Sequence, residues 1–315
     1  MTLRRSLAAV LSVGSILLAT ACASDNLSKS SSSDSGSASA DKGAVHISGQ
    51  DFTEGAIVAA MYDQLLTKAG YDTDVKLVGT RDVYMKIFPG DVDVVPEYVG
   101  GIVEFLNTTA NGADAKPLTT GDAKESIAAG KSLLDKQGIT LLDPSPATDT
   151  NAFFVTKDYS ESNNVTKLSD LKGKSVVLAG AADCETRADC GAGLEDQYGI
   201  KISKVLPLGY ASDQTYQSVI KGESQLGETS TTDGTLDAQG LVLLDDDKTI
   251  QPTQNLVPAV SSDFLKAHPD VADVLNPLMA ALTSAKLGTL NAEVAVDRKK
   301  PEDVAKEFLT QEGLL

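Results

Sequence analysis

Tyr84-Met-Lys-Ile-Phe-Pro-Gly-Asp-Val-Asp-Val94 and Tyr216-Gln-Ser-Val-Ile-Lys-Gly-Glu-Ser-Gln-Leu226 are one pattern written twice. Tyrosine, aliphatic, glycine, acid and aliphatic residues keep the same spacing in both. Each copy reads as a helix, a glycine C-cap and a strand entering a sheet, because glycine tolerates the left-handed conformation that ends a helix. Two copies predict two lobes built on a similar α/β unit, with a cleft between them of the kind that concave sites favour.

Working outward from the first copy, strands and helices alternate. Val45 to Ser48 is a short β-like run, and Ala56 to Lys68 sets Ile57, Met61 and Leu65 on one helical face before Gly70. Thr73 to Val78 alternates as a strand, Thr80 can cap a helix running through Phe88, and Asp91 to Val95 predicts the next strand. Asp122 to Gln137 reads as an amphipathic helix, and Ala152 to Thr156 and Ser175 to Leu178 as buried strands of a second unit. Ala272 to Leu290 and Pro301 to Leu309 read as terminal helices. Such alternation predicts an α/β fold with mostly parallel sheets covered by helices.

The N-terminus has a different character. Arg4 and Arg5 precede an apolar run from Leu7 to Leu18, and Ala19-Thr20-Ala21-Cys22 follows, so residues 1–21 read as a secretory leader. The run is too short to span a bilayer. The cysteine after small residues predicts lipoprotein processing, with Cys22 acylated as the first mature residue; an ordinary signal peptide beside an unrelated cysteine is the alternative. Residues 22–43 are rich in Ser, Gly and Ala and read as a flexible tether. The expectation is a soluble body, monomeric, held on the outer face of the cell membrane by a lipid. The formal charge is −17; losing Arg4 and Arg5 leaves 25 basic residues against 44 acidic ones. Such a chain repels nucleic acid and anionic lipid.

Cys184 and Cys190 enclose Glu-Thr-Arg-Ala-Asp. In an oxidising compartment the pair reads as a disulfide, with a metal site as the rival. The loop is short, so closure entropy contributes only about 2 to 2.5 kcal/mol, and its larger effect is to stiffen the segment presenting Arg187. No phosphate-cradling Gly-rich loop with Lys-Ser/Thr and no His-Glu-x-x-His occurs. His46 at a strand start and His268 before Pro269 read as structural or surface residues. No enzymatic constellation, cofactor or metal is implied.

Asp51-Phe-Thr-Glu54, Gly79-Thr-Arg-Asp-Val-Tyr84, Gly90-Asp-Val-Asp-Val-Val-Pro-Glu-Tyr98-Val-Gly100 and Thr232-Asp-Gly234 carry a family resemblance. So do Pro144-Ser-Pro-Ala-Thr-Asp149, Asp170-Leu-Lys-Gly173, Gly193-Leu194, Tyr198-Gly199, Leu290-Asn291 and Val304-Ala-Lys-Glu-Phe308. Across residues 44 to 315 the chain resembles the osmoprotectant-binding proteins of ABC importers, which take glycine betaine, choline or carnitine. The resemblance implies a type II periplasmic-binding-protein fold: two lobes, a ligand cleft and two interlobe crossings, near Thr148–Asn151 and Ser230–Asp233. Lobe one would comprise 44–149 with 233–315, and lobe two 150–232. It also implies a non-enzymatic receptor that delivers a small solute to an ABC permease in the membrane. The same scaffold serving as a sensory or enzymatic domain is the alternative.

Relatives of this kind hold a quaternary ammonium in a cage of four tyrosines, by cation–π attraction and dispersion. At the matching positions this chain has Tyr98, Asn151, Ser230 and Gln254, so one aromatic of the four survives. Asp149 matches the aspartate two residues before the second cage position, and Arg187 matches an arginine that clamps a ligand carboxylate. Asp51, Thr53 and Gly101 belong to the same motifs and complete the expected ligand set. Asn, Ser and Gln offer hydrogen bonds where relatives offer rings, so the resemblance implies a more polar pocket, with weak binding of betaine or choline and preference for a solute whose polar or anionic end meets Arg187. A shifted alignment would instead let Tyr210, Tyr216 or Tyr159 refill the cage.

Overall fold

The computed structural model describes residues 42–112 and 114–315; the leader, Cys22 and all of the tether but its last two residues lie outside the described residues. Two five-stranded sheets share one spatial arrangement, with connections that differ by a circular permutation. In the first, β1 (Ala44–Gln50) lies between β2 (Asp72–Val78) and β3 (Val94–Tyr98), all parallel. β10 (Leu256–Ser261) runs antiparallel beside β3, and β4 (Ile139–Leu141) closes that edge. In the second, β6 (Ser175–Gly180) lies between parallel β7 (Lys201–Pro207) and β8 (Leu226–Ser230), followed by antiparallel β5 (Asn151–Thr156) and then β9 (Leu241–Leu244). The fold is the two-lobed α/β arrangement that the sequence implies.

The repeated motif occupies matching places. Tyr84 ends α2 (Arg81–Tyr84) and Tyr216 lies in α7 (Asp213–Ile220), while Val94 and Leu226 open the central strands β3 and β8. Each hydroxyl reaches its strand 13 residues on: Tyr84 donates to Glu97, and Tyr216 bonds Thr229 at 3.1 Å. The glycine cap holds only in the second copy. Gly222 has φ 74°, whereas α2 stops at Tyr84 and the chain turns through residues 85–91, with Ile87 and Phe88 both donating to the Tyr84 carbonyl. The first strand accordingly begins at Val94 rather than Asp91.

Apolar periodicity determines which faces are covered. Ile57, Met61 and Leu65 of α1 (Thr53–Lys68) are buried against the first sheet with α9 (Asp270–Ala281), α10 (Ser284–Ala295) and α11 (Pro301–Gln311). The stretch 272–290 is not one helix: Leu282 is extended, and Thr283 caps α10 by accepting from Lys286 N. On the opposite face, α3 (Val99–Asn111) and α4 (Ala123–Gln137) bury Ile102, Val103 and Leu134, and Asp122 caps α4 through Glu125 N. The second sheet has its own cores around Phe153, Leu178 and Tyr198 and around Phe154 and Tyr216.

The chain passes between the sheets along two paired segments. Thr148 bridges Asn255 in antiparallel fashion, and Asp149 N donates to Gln254 O at 3.1 Å. The return crossing therefore lies near Gln251–Asn255 and not at Ser230–Asp233. Residues 231–234 touch the first lobe, with Thr231 Oγ1 donating to Thr148 O and Thr232 O accepting from Asn291 of α10, and the chain then turns back. Leu236 enters the second lobe's core and β9 pairs with β5, so 241–244 belongs to the second sheet, against the expected division at 233. Leu241-Val-Leu-Leu244 pairs along that sheet's open edge, which a motif-based boundary does not register.

Candidate functional site

Strand carboxyl ends of both sheets point at one cleft, as ligand sites in open α/β sheets do. Tyr98 ends β3 and Ser230 ends β8, and Asn151 opens the antiparallel strand opposite Ser230. The cleft has two compartments that share Asp149 and Tyr210. The larger, about 340 Å³, is lined by Phe52, Thr53, Glu54, Tyr216, Ser230 and Asn291 among others. The smaller, about 210 Å³, takes Asn151, Arg187, Asp189, Gln251 and Gln254. A hollow of about 570 Å³ near α11 is lined only by 299–311 surface side chains and has no convergence of elements.

Of the expected ligand residues, Thr53, Asp149 and Ser230 line the larger compartment, and Asp149, Asn151, Arg187 and Gln254 the smaller. Tyr98 is half-buried behind the first, its hydroxyl donating to Glu54 and its ring 6.5 Å from that of Phe52. Asp51 lies at the mouth of α1, exposed, and lines neither compartment. Gly101 also lines neither: it packs on Arg81, whose Nη2 lies 2.4 Å from where a Cβ would stand. Arg81 in turn forms a two-pronged pair with buried Glu97 at 2.8 and 3.0 Å. The Gly-Thr-Arg and Pro-Glu-Tyr motifs thus meet through Glu97, which also accepts from Tyr98 N at 2.9 Å. Among the aromatic candidates for refilling the cage, Tyr210 enters both compartments at 44% exposure and Tyr216 lines one. Tyr159 packs in the second lobe's core beneath Lys174.

The three polar replacements are all committed to protein partners. Asn151 Nδ2 donates to Asp189 Oδ2 at 2.8 Å, Ser230 Oγ donates to Asp149, and Gln254 Oε1 accepts from Gly101 N at 3.0 Å. Arg187 is likewise engaged. Its Nε and Nη2 hold both oxygens of Asp189 at 2.9 Å, and Nη1 lies 3.4 Å from Asp183 and 3.6 Å from Glu228. Hydrogen bonding to Asp189 keeps the guanidinium pKa above its ordinary value. Arg187, expected to meet a ligand carboxylate, lines the smaller compartment with its fork filled by Asp189. Cys184 and Cys190, both buried, are joined in a disulfide that closes the loop carrying Arg187 and Asp189. Glu228 approaches the same sulfurs, but bonded cysteines offer no thiolate to a metal.

The residue that the sequence left out is Glu54. It is 2% exposed at the first turn of α1, and its carboxylate accepts from Tyr98 and from Asn291 Nδ2 at 2.9 Å. Burial, then the charge of Asp149, pushes its pKa up; burial also raises that of half-buried Asp149. Among the described residues, no ion pair reaches either carboxylate. The acid of Asp-Phe-Thr-Glu gave no signal in sequence because a helix's first turn favours acids for its own dipole.

Two α/β lobes joined by paired crossings around a polar cleft define a substrate-binding protein of the periplasmic type. The family described as the substrate binding domain of ABC-type glycine betaine transport systems matches residues 43–311, and the chain belongs to that family of solute-binding proteins. It is 30% identical over 274 residues to the Escherichia coli glycine betaine-binding protein YehZ, covering 83% of this chain and 88% of the relative. A glycine-betaine-binding protein of Pseudomonas aeruginosa is 28% identical over 283 residues, covering 86% and 88%. The solved structure of apo YehZ from Escherichia coli superposes with a TM-score of 0.72 at 29% identity, covering 86% of this chain and 99% of that one.

Proposed function

We propose that this protein is the solute receptor of an ABC importer and that its cleft takes a small quaternary ammonium compound. The observation that carries the reading is the pair Glu54 and Asp149, two carboxyls facing one compartment with no basic partner among the described residues. A cation that cannot donate hydrogen bonds would offset both charges, and the Phe52 and Tyr210 rings line the same compartment to receive it, with Tyr98 packed behind Phe52. The lobes we propose are 44–149 with 254–315 and 150–253, closing over the solute by rotation about the paired crossings. The closed form would then dock on a membrane permease. We further propose that the protein acts as a monomer outside the cytoplasm and is anchored through a lipid on Cys22, a residue outside the described set.

A thermal-shift panel tests the reading. Choline, glycine betaine, carnitine, ectoines, polyols and amino acids are compared at equal concentration. At least one quaternary ammonium compound at about 100 times its Kd should add about 2.7 kcal/mol of stability, visible as a rise of several degrees. Stabilisation by polyols or amino acids alone would contradict it.

A further inference from the structure

The smaller compartment holds the one arginine of the cleft, and the chain itself fills that arginine's fork. Asp189 presents both oxygens to Arg187 Nε and Nη2 at 2.9 Å, the geometry that a ligand carboxylate would adopt. Three separate elements hold it there. Asn151 of β5 donates to its Oδ2, Gln251 of the return crossing donates to its backbone carbonyl at 2.8 Å, and the Cys184–Cys190 disulfide closes its loop. Asn151 stands where relatives carry an aromatic wall, and its amide positions Asp189.

Two residues lining the cleft carry a buried acceptor oxygen with no donor partner. Gln251, one of the residues lining the compartment, is 8% exposed, and its buried Oε1 has no donor partner. Asn291 Oδ1, beside Glu54, is equally unpartnered. Glu228 Oε1, buried behind Arg187, makes no hydrogen bond and lies 3.6 Å from Arg187 Nη1. A carboxylate entering this side would meet acceptors and an arginine already neutralised, and it would lose its hydration without compensation. A hydroxyl or N–H would find acceptors waiting.

We propose that Asp189 is an internal counter-ion occupying the arginine clamp, so that the cleft selects net cations carrying a hydrogen-bond donor over zwitterionic betaines. The inference rests on the reading of the cleft as a quaternary ammonium site and adds the chemistry of the ligand's other end. In it Asp189 and Asn151 determine specificity, and Arg187 is an anchor for Asp189 rather than a ligand contact.

Isothermal titration of the protein with choline and with glycine betaine tests it. The unaltered protein should bind choline about tenfold or more tightly than glycine betaine. Asp189→Asn, which keeps the side-chain shape and removes the charge, should lower that choline-to-betaine ratio by about tenfold or more. Asp189→Ser should move it the same way, which separates the charge effect from a folding defect of either variant. Glycine betaine binding the unaltered protein as tightly as choline, or a ratio unmoved in folded variants, would overturn the inference while leaving the quaternary ammonium reading in place. Binding of neither compound would overturn both.

Discussion

At Glu54 and Asp149 the chain places two carboxyl groups at the cleft with no counter-ion of their own. Burial raises both above their ordinary values of 4.5 and 3.8, so the folded protein retains protons that the unfolded chain has lost. In the window above those ordinary values the empty protein loses this contribution to stability as pH rises. Over the same window the carboxyls ionise and affinity for a cation climbs. Titrating choline from about pH 4 to about pH 7 should show affinity rising, with the melting temperature of the empty protein moving the other way. Glu54→Gln and Asp149→Asn should each weaken choline about tenfold and flatten that pH dependence without lowering the melting temperature of the empty protein. A variant that loses stability but keeps its affinity would assign these residues to scaffolding. The sequence made Asp149 legible through its place in a motif, and Glu54 illegible for the reason its burial reveals. An acid opening a helix is ordinary; only the fold shows that α10 brings Asn291 over it and that no lysine follows. Asn151, Ser230 and Gln254 line the cleft, but their partners were not legible. Asn151 and Asp189 are 38 residues apart and meet only through the second sheet.

At the scale of elements, the contact between the chain after β8 and the helix α10 governs how the lobes meet. Gly234 lies so close that a Cβ would stand 2.2 Å from Gly288 O and 2.4 Å from Ala292 N. Both neighbours are helix backbone and cannot swing aside. Gly234→Ala should therefore push residues 231–234 off α10, cost about 1–3 kcal/mol and weaken ligand binding through the displaced Thr232 and Asn291. Urea unfolding should show a lower midpoint with unchanged slope, and an unshifted midpoint would contradict the close approach. Periodicity recovered the long helices, since Ile57, Met61 and Leu65 are buried as their spacing requires. It missed the break at Thr283, where one side chain accepting one backbone N–H splits an apolar stretch in two. It also missed β9, whose four residues take their identity from an edge supplied by β5. Short elements defined by a distant partner leave little local pattern.

Across the whole molecule, the repeated Tyr-Gly-acid motif sits in two sheets of like spatial arrangement, with the carboxyl ends of their central strands at one cleft. That repetition was legible and implied two lobes with a cleft between them. The charge balance inside the cleft was not: it depends on Arg187 being held by Asp189 rather than left open. The central claim is that a cationic head lies against Glu54 and Asp149 in the larger compartment. A crystal structure of the choline complex tests it most directly. The account predicts the trimethylammonium group in that compartment, within about 6 Å of the Tyr98 or Tyr210 ring centroid, with the hydroxyl directed toward Gln251 and the Arg187–Asp189 pair intact. A trimethylammonium group lodged outside the larger compartment, or an Arg187 released from Asp189 to meet the ligand, would contradict it.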